Sequence, residues 1–308
     1  MFNVIICGVV KNADKNLQNN LDLAIEIGKK CDKYKIVIYE NNSTDRTKSI
    51  LSSYSTKPQF EIIMEDISPE EIKKNSKIWA YTAVTGSDHS CRMEQISNAR
   101  NKLITEIQTE KYAEYNYVVM IDLDGKFFAI DGIINSLYLI QENPLRIIYG
   151  NSLNYYDYYA LRSPHYEYNL FGPELIGEHF WANMYNSRLQ IKPNSPDLVT
   201  VYSAFNGIGV YDKKAFIGTN YDALVNPIVK DGYKKIIALH PSAYERLNTI
   251  LKNPCPKFPG GEQDDDFYWK NNSGYNKPVI CEHVAFNFAL FNAGYTICIN
   301  PKMLYWWN

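Results

Sequence analysis

Nowhere in the 308 residues is there an uninterrupted apolar run approaching the ~18–20 residues that a helix needs to cross a bilayer, so no transmembrane segment is expected. The opening MFNVIICGVVKN lacks a basic leader and a small-residue cleavage site, and a buried first strand is the expected reading. Cysteine is sparse and unpatterned. Cys7, Cys31, Cys91, Cys255, Cys281 and Cys298 show no C-x-x-C spacing and several lie in apolar segments, which points to reduced thiols in a cytosolic-type, cytoplasmic compartment. The sequons at Asn41, Asn42 and Asn271 are then chance matches. Charge of one sign is missing too: 32 Lys+Arg against 34 Asp+Glu leave a formal −2, so nucleic acid and anionic membranes are not default partners. There is no internal repeat and no obvious linker.

What is present fits a globular chain. Hydrophobic residues at 45% and charged residues at 21% exclude disorder, collagen-like repeats and a coiled coil. The 25 Tyr and 5 Trp stand out. Tyrosine joins a flat apolar face to a hydroxyl, a combination suited to sugar rings. A compositional bias that raises Tyr, Asn, Ile and Lys together is the better explanation of the total, though not of every cluster.

Residues 3–10 read as a buried strand, Asp14–Cys31 as an amphipathic helix and Lys35–Tyr39 as a second strand. A polar turn follows, with Thr44 as the expected helix N-cap, and then a strand at Phe60–Met64. This β-α-β-α-β alternation predicts a parallel sheet with right-handed crossovers. Residues 90–108 have helical spacing, and Tyr117–Ile121 is the most strand-like segment of the chain. A helix at 131–141 and a strand at 145–150 follow. Beyond 150 the pattern loosens: Val201–Tyr211 reads as a strand pair broken at Asn206-Gly207, 253–278 as loop, 282–293 as helix and 295–299 as strand.

The strand at 117–121 runs into Asp122-Leu123-Asp124-Gly125. In extended chain, residues i and i+2 share a face, so both carboxylates leave the strand end together. Two hard oxygen donors there suit Mn²⁺ or Mg²⁺ with phosphate oxygens completing the shell. Open α/β sheets also bind ligands at this carboxyl edge.

Taken with this motif, VIYENNSTDRT and RMEQISNARNKL make the sequence resemble the GT-A-fold glycosyltransferases, which use nucleotide-sugar donors. A narrower similarity to bacterial capsule- and lipopolysaccharide-type transferases rests on YYDYYALRSP, YSAFNGIGVY and CEHVAFNFALFNAGYTICINP. The resemblance implies an α/β fold: a Rossmann-like mixed sheet flanked by helices, in one domain. Residues 1–150 would be its donor half, and 151–308 its acceptor-binding and catalytic half. The reaction implied is metal-dependent transfer of a hexose-like unit from a nucleotide sugar to a glycan or glycoconjugate hydroxyl.

Residue roles follow from the resemblance. Val9, Glu40, Asn42 and Asp45 would line the nucleoside site, with Glu40 on base or ribose and Asp45 shaping the turn or capping a helix. Arg100, and Arg92 on the same helical face, would reach the nucleotide or diphosphate. Asp122 and Asp124 would hold the metal, His283 would be its third ligand, and Glu282 would be the general base of an inverting enzyme. Tyr156, Asp157 and Arg162 would contact substrate, and Asn206-Gly207 would let backbone approach the sugar. GGEQDDDF offers a rival base or a solvated acidic loop. The main alternative is a haloacid-dehalogenase-type phosphatase with Asp122 as nucleophile. Against it stand the late position of the motif, Lys126 in place of Thr or Val, and no apolar strand before the acidic triplet. A sugar nucleotidyltransferase would need a Gly-rich basic loop that CGVVKNADKN lacks. A lectin-like binder would not need both acids.

Overall fold

The computed structural model describes residues 2–82, 87–184, 189–193, 195–254, 260–271 and 274–307, so Cys255 lies outside the described residues. In chain order the elements are β1 (Asn3–Val10), α1 (Leu17–Lys29), β2 (Lys33–Asn41), α2 (Thr47–Tyr54), β3 (Phe60–Glu65), α3 (Pro69–Asn75), β4 (Trp79–Thr82), β5 (Ser87–Ser90), α4 (Arg92–Ile107), β6 (Tyr117–Ile121), β7 (Phe127–Phe128) and α5 (Ile130–Glu142). There follow β8 (Arg146–Asn151), α6 (Pro173–Ile176), α7 (Glu178–Met184), β9 (Val199–Val201), β10 (Ile208–Asp212), α8 (Pro227–Leu239), α9 (Pro241–Lys252), β11 (Glu262–Gln263), β12 (Tyr268–Trp269), α10 (Glu282–Asn292) and β13 (Thr296–Trp306).

The main sheet runs β3-β2-β1-β6-β10-β8-β13-β7, with β9 on β13. Strands β3, β2, β1 and β6 are parallel, as the alternating pattern predicts. β10 is antiparallel to both β6 and β8, and β8 and β13 are parallel to each other, so the sheet is mixed. The two-residue alternation of β1 divides the core. Ile5 and Cys7 face a cluster built from α4 and α10, whereas Val4 and Ile6 face one built from α1 and α5. Helix α1 buries Leu17, Leu21, Ala24 and Ile27 at three- and four-residue steps, which explains why it lies on the sheet at all.

Several expectations are corrected. Helix α2 starts at Thr47, and Thr44 does not cap it; Asp45 Oδ1 instead accepts the Thr47 N–H at 2.9 Å. The segment Val201–Tyr211 does not form a strand pair with itself: β9 joins β13 while β10 joins β6 and β8. Strand β13 runs to Trp306, continuing past Pro301 with a register shift between Ile299 and Leu304. Residues 253–278 are not all loop, since β11 and β12 pair within them. Among the described residues no helix is long and apolar enough to cross a membrane.

Candidate functional site

The carboxyl ends of β1, β2 and β6 open onto a cavity of about 480 Å³, walled on one side by α4. Asp122 and Asp124 both line it, while Leu123 between them is buried. The sequence therefore delivers two carboxylates to one cleft, and it does so through the turn at Leu123-Asp124 just past the end of β6 rather than through strand alternation. The loop that carries them is clamped from α1: Asn20 Nδ2 donates to the Leu123 and Gly125 carbonyls at 2.8 and 2.6 Å, and Asn16 Nδ2 donates to the Asp124 carbonyl at 2.9 Å. From the other side, the Asp122 N–H donates to the Gly207 carbonyl at 2.9 Å and the Tyr305 hydroxyl donates to the Asp122 carbonyl at 2.8 Å. Neither Asn20 nor Tyr305 stood out in the sequence. Both act on backbone, and a residue type alone does not reveal such a bond.

Arg100 is the hub beneath the cleft. It is 3% exposed, with Nη2 3.0 Å from Asp122 Oδ1 and Nε 3.4 Å from Glu282 Oε1. Its guanidinium also lies over the Phe205 ring at 4.8 Å. Burial works against its charge, yet Asp122, Tyr221 and Glu282 together hold its pKa above the ordinary arginine value. Arg100 lines the cavity itself as well as bonding Asp122, but at this degree of burial it has little surface left for a phosphate. Arg92, one face-repeat earlier, is exposed and lines the cavity directly.

Glu282 opens α10 and is 4% exposed, with one carboxylate oxygen on Arg100 and the other accepting from Cys281 Sγ at 3.5 Å. The expectation of a base free to meet a hydroxyl is corrected: Glu282 sits behind Arg100. His283 is 2% exposed and stacked on Phe205 at 3.8 Å, with neither ring nitrogen hydrogen-bonded. Burial, then Arg100, push its pKa well below the usual histidine value, so the ring is neutral. Among the described residues no three His, Cys, Asp or Glu side chains are grouped to hold a metal, so the structure does not assemble His283 with Asp122 and Asp124 as a triad.

The nucleoside candidates divide. Val9 and Asn42 line the cavity. Asn42 takes a positive φ of 57° and clasps the backbone of Ile67, its Nδ2 donating to the carbonyl at 2.7 Å. Glu40 does not reach the cleft: it is fully buried, and Oε1 accepts the Ser43 N–H at 2.7 Å. Asp45 accepts from the Asp14 and Thr47 N–H groups, stitching the β1–α1 loop to the β2–α2 loop.

Among the substrate candidates, Tyr156 stacks on Trp307 at 5.6 Å and on Tyr305 at 6.2 Å. Asp157 accepts the Asn206 N–H at 3.1 Å; burial first, and then Glu282 and Asp122, push its carboxyl up to about 6. Arg162 is corrected. It is wholly buried and bonded to Glu174, Tyr233 and two carbonyls, a structural knot with no opening to substrate. Asn206 and Gly207 both hold positive φ, but a Cβ at Gly207 would lie 2.5 Å from the Tyr305 ring. The bare face of this glycine admits a tyrosine, and not a sugar as expected. In the acidic triplet Asp264 is tied to Lys230 and to the Trp269 indole and held down to about 2, while Asp266 pairs with Lys234. It is neither a base nor a free acidic loop. Lys11, Asn12, Gln95 and Trp307 also line the cleft and were not foreseen. Only their position at strand and helix ends distinguishes them.

A divalent cation fits the pair Asp122 and Asp124. Both present hard oxygens to the cavity, and Asp124 is pushed up to about 7 by the surrounding protein and then by the charge on Asp122. A cation would relieve that crowding, with non-protein oxygens filling the rest of its shell.

Over residues 10–238 the chain matches the family model described as Cryptococcal mannosyltransferase 1. No curated protein matches it. Among solved structures, Staphylococcus aureus TarS 1-349 in complex with UDP is 11% identical, with 100% of this chain and 60% of that one covered at a TM-score of 0.43. The mannosyltransferase PcManGT from Pyrobaculum calidifontis, in complex with GDP-Man and Mn²⁺, is 15% identical, with 71% and 47% covered at 0.40. Mannosyl-3-phosphoglycerate synthase from Rubrobacter xylanophilus is 14% identical, with 87% and 83% covered at 0.40. The chain spans about half to three fifths of the length of the first two.

Proposed function

The chain belongs to the cryptococcal mannosyltransferase 1 family, a family of glycosyltransferases, and from that premise we propose that it moves a hexose, mannose foremost, from a nucleotide sugar to a glycan or glycoconjugate hydroxyl. One observation carries this reading: Asp122 and Asp124 open together onto the cavity at the carboxyl edge of a mononucleotide-binding β-α-β-α-β unit. Residues 1–150 act as the donor half, and the acceptor approaches from 151–308.

Asp122 and Asp124 would hold a Mn²⁺ or Mg²⁺ ion, which would supply charge to offset that of a diphosphate leaving group. The chain's own groups do the rest. Arg100 fixes the Asp122 carboxylate, so its orientation is set before any ligand arrives. Lys11 and Arg92 place positive charge along the cleft wall, where a phosphate chain would lie. Asn12 and Asn42 hold the turns at the ends of β1 and β2 in the left-handed conformation and line the cleft there. The phosphatase alternative finds no support, since the family that the chain matches is one of glycosyltransferases.

The test is donor hydrolysis and transfer with GDP-mannose and UDP-, CMP- and dTDP-sugars, with and without Mn²⁺. One donor is expected to turn over, only with metal, and Asp124→Asn is expected to lower kcat at least about a hundredfold with the fold intact. Full metal-dependent turnover by that variant would remove the site assignment.

A further inference from the structure

The order of strand ends along the sheet edge gives the cleft a direction. On one side of Asp122 lie β1, β2 and β3, the mononucleotide-binding unit; on the other lie β10, β8 and β13. A donor whose diphosphate sits at Asp122 and Asp124 points its nucleoside toward Asn42 and its sugar the opposite way. Strand β13 is three strands from β6, roughly 14 Å at the usual strand spacing of ~4.8 Å. Its last residues nevertheless return to the acidic pair, because Trp306 is in register with Phe127 in β7 and its carbonyl accepts the Lys126 N–H at 2.8 Å. The next residue, Trp307, is thereby delivered into the cavity that Asp122 and Asp124 line.

Trp307 is only half-buried. Its indole stacks on Tyr156 at 5.6 Å and 19°, and Tyr156 stacks in turn on Tyr305, whose hydroxyl holds the Asp122 carbonyl. The stack is thus a rigid column, rooted in the backbone of the acidic motif and ending in an indole at the cavity wall. A rigid aromatic face recognises a ring with one apolar C–H face at little entropic cost, and a pyranose is such a ring. Resting on the nucleotide-sugar reading, we propose that Trp307, backed by Tyr156, is the stacking surface for the donor's pyranose and so helps select the sugar.

Calorimetric titration with GDP and GDP-mannose, and with UDP and UDP-glucose, in Mn²⁺ tests this in wild type, Trp307→Ala and Trp307→Phe. Trp307→Ala is expected to weaken the bound nucleotide sugar about five- to tenfold and to leave its nucleoside diphosphate within about twofold; Trp307→Phe should recover most of the loss. Retained diphosphate binding shows that the variant is folded. Equal weakening of both ligands, or of neither, overturns the assignment to Trp307 alone. Failure of the wild type to bind any of the four, and equally any CMP- or dTDP-sugar, removes the nucleotide-sugar reading, and the inference with it.

Discussion

A buried guanidinium needs partners for its donors, and Arg162 and Arg100 find theirs in different places, Arg100 Nε having only the 3.4 Å ion pair with Glu282 and no hydrogen bond. Arg162 spends its donors on Glu174, Tyr233 and carbonyls deep in the core. Arg100 spends one on Asp122, which is itself half-open to the cleft, so the cost of burying it also orients a functional carboxylate. Glu282 balances this arrangement from behind. Glu282→Gln removes one of the two acids facing Arg100 while keeping the shape, and should cost about 1–3 kcal/mol of stability in chemical denaturation. Its kcat should fall by less than about tenfold with the pH profile unmoved, whereas loss of a general base would cost about 10²–10⁴-fold. A drop of that larger size with unchanged Mn²⁺ affinity would restore Glu282 as the base. Sequence alone does not separate these roles. It marked Asp122, Asp124 and Arg100, but Arg100 and Arg162 look alike until burial is known. Many of the tyrosines are likewise core residues: Tyr39, Tyr112, Tyr149, Tyr211, Tyr233 and Tyr305 are all nearly inaccessible.

At the scale of elements, what was legible is what periodicity encodes. Helices α1, α4 and α5 fall where their spacing puts them, because one buried face imposes one period, and the doubly buried β1, β2 and β6 and the enclosed α10 fall where their apolar runs put them. Helices α8 and α9 went unread although each has a buried stripe, Val229-Tyr233-Ile236 and Ala243-Leu247-Leu251. The unread α3 buries no residue, so nothing imposes a period on it. Two elements meet at the most informative junction, where the chain enters β10 beside the end of β6. Gly207 sits there at φ +83°, its carbonyl on the Asp122 N–H and its open face filled by Tyr305. Gly207→Ala meets both a conformational and a steric cost, together about 2–4 kcal/mol. If the ring is displaced, the Tyr305 hydroxyl leaves the Asp122 carbonyl, so Mn²⁺ affinity should fall with stability. Denaturation and metal titration of the same variant check both halves, and unaltered Mn²⁺ binding in a clearly destabilised protein would disconnect β10 from the site.

Over the whole molecule, the site concentrates negative charge that the fold alone does not neutralise. Asp122, Asp124, Asp157 and Glu282 influence one another electrostatically, with Arg100 buried among them and Arg92 at the edge. The carboxyl of Asp124 is raised from its ordinary 3.8 to about 7. A raised folded-state value means that the folded chain holds its proton more tightly than the unfolded chain does. The stabilisation that this gives is complete below about pH 4 and is lost as pH rises through about 7. His283 acts with the opposite sign, its depressed value costing stability as pH falls below that of a free imidazole, so the slope of the wild type alone mixes the two. A difference between two proteins that both keep His283 cancels its contribution. Metal-free Asp124→Asn should therefore gain stability relative to wild type between pH 5 and pH 8. Mn²⁺ should reverse the order, because it binds the ionised pair: it should raise the wild-type Tm more at pH 8 than at pH 5 and leave the variant nearly unmoved. Thermal denaturation of both proteins at the two pH values, with and without Mn²⁺, gives all four differences. An equal Mn²⁺ shift at both pH values, or an undiminished shift in the variant, would place the cation somewhere other than between residues 122 and 124.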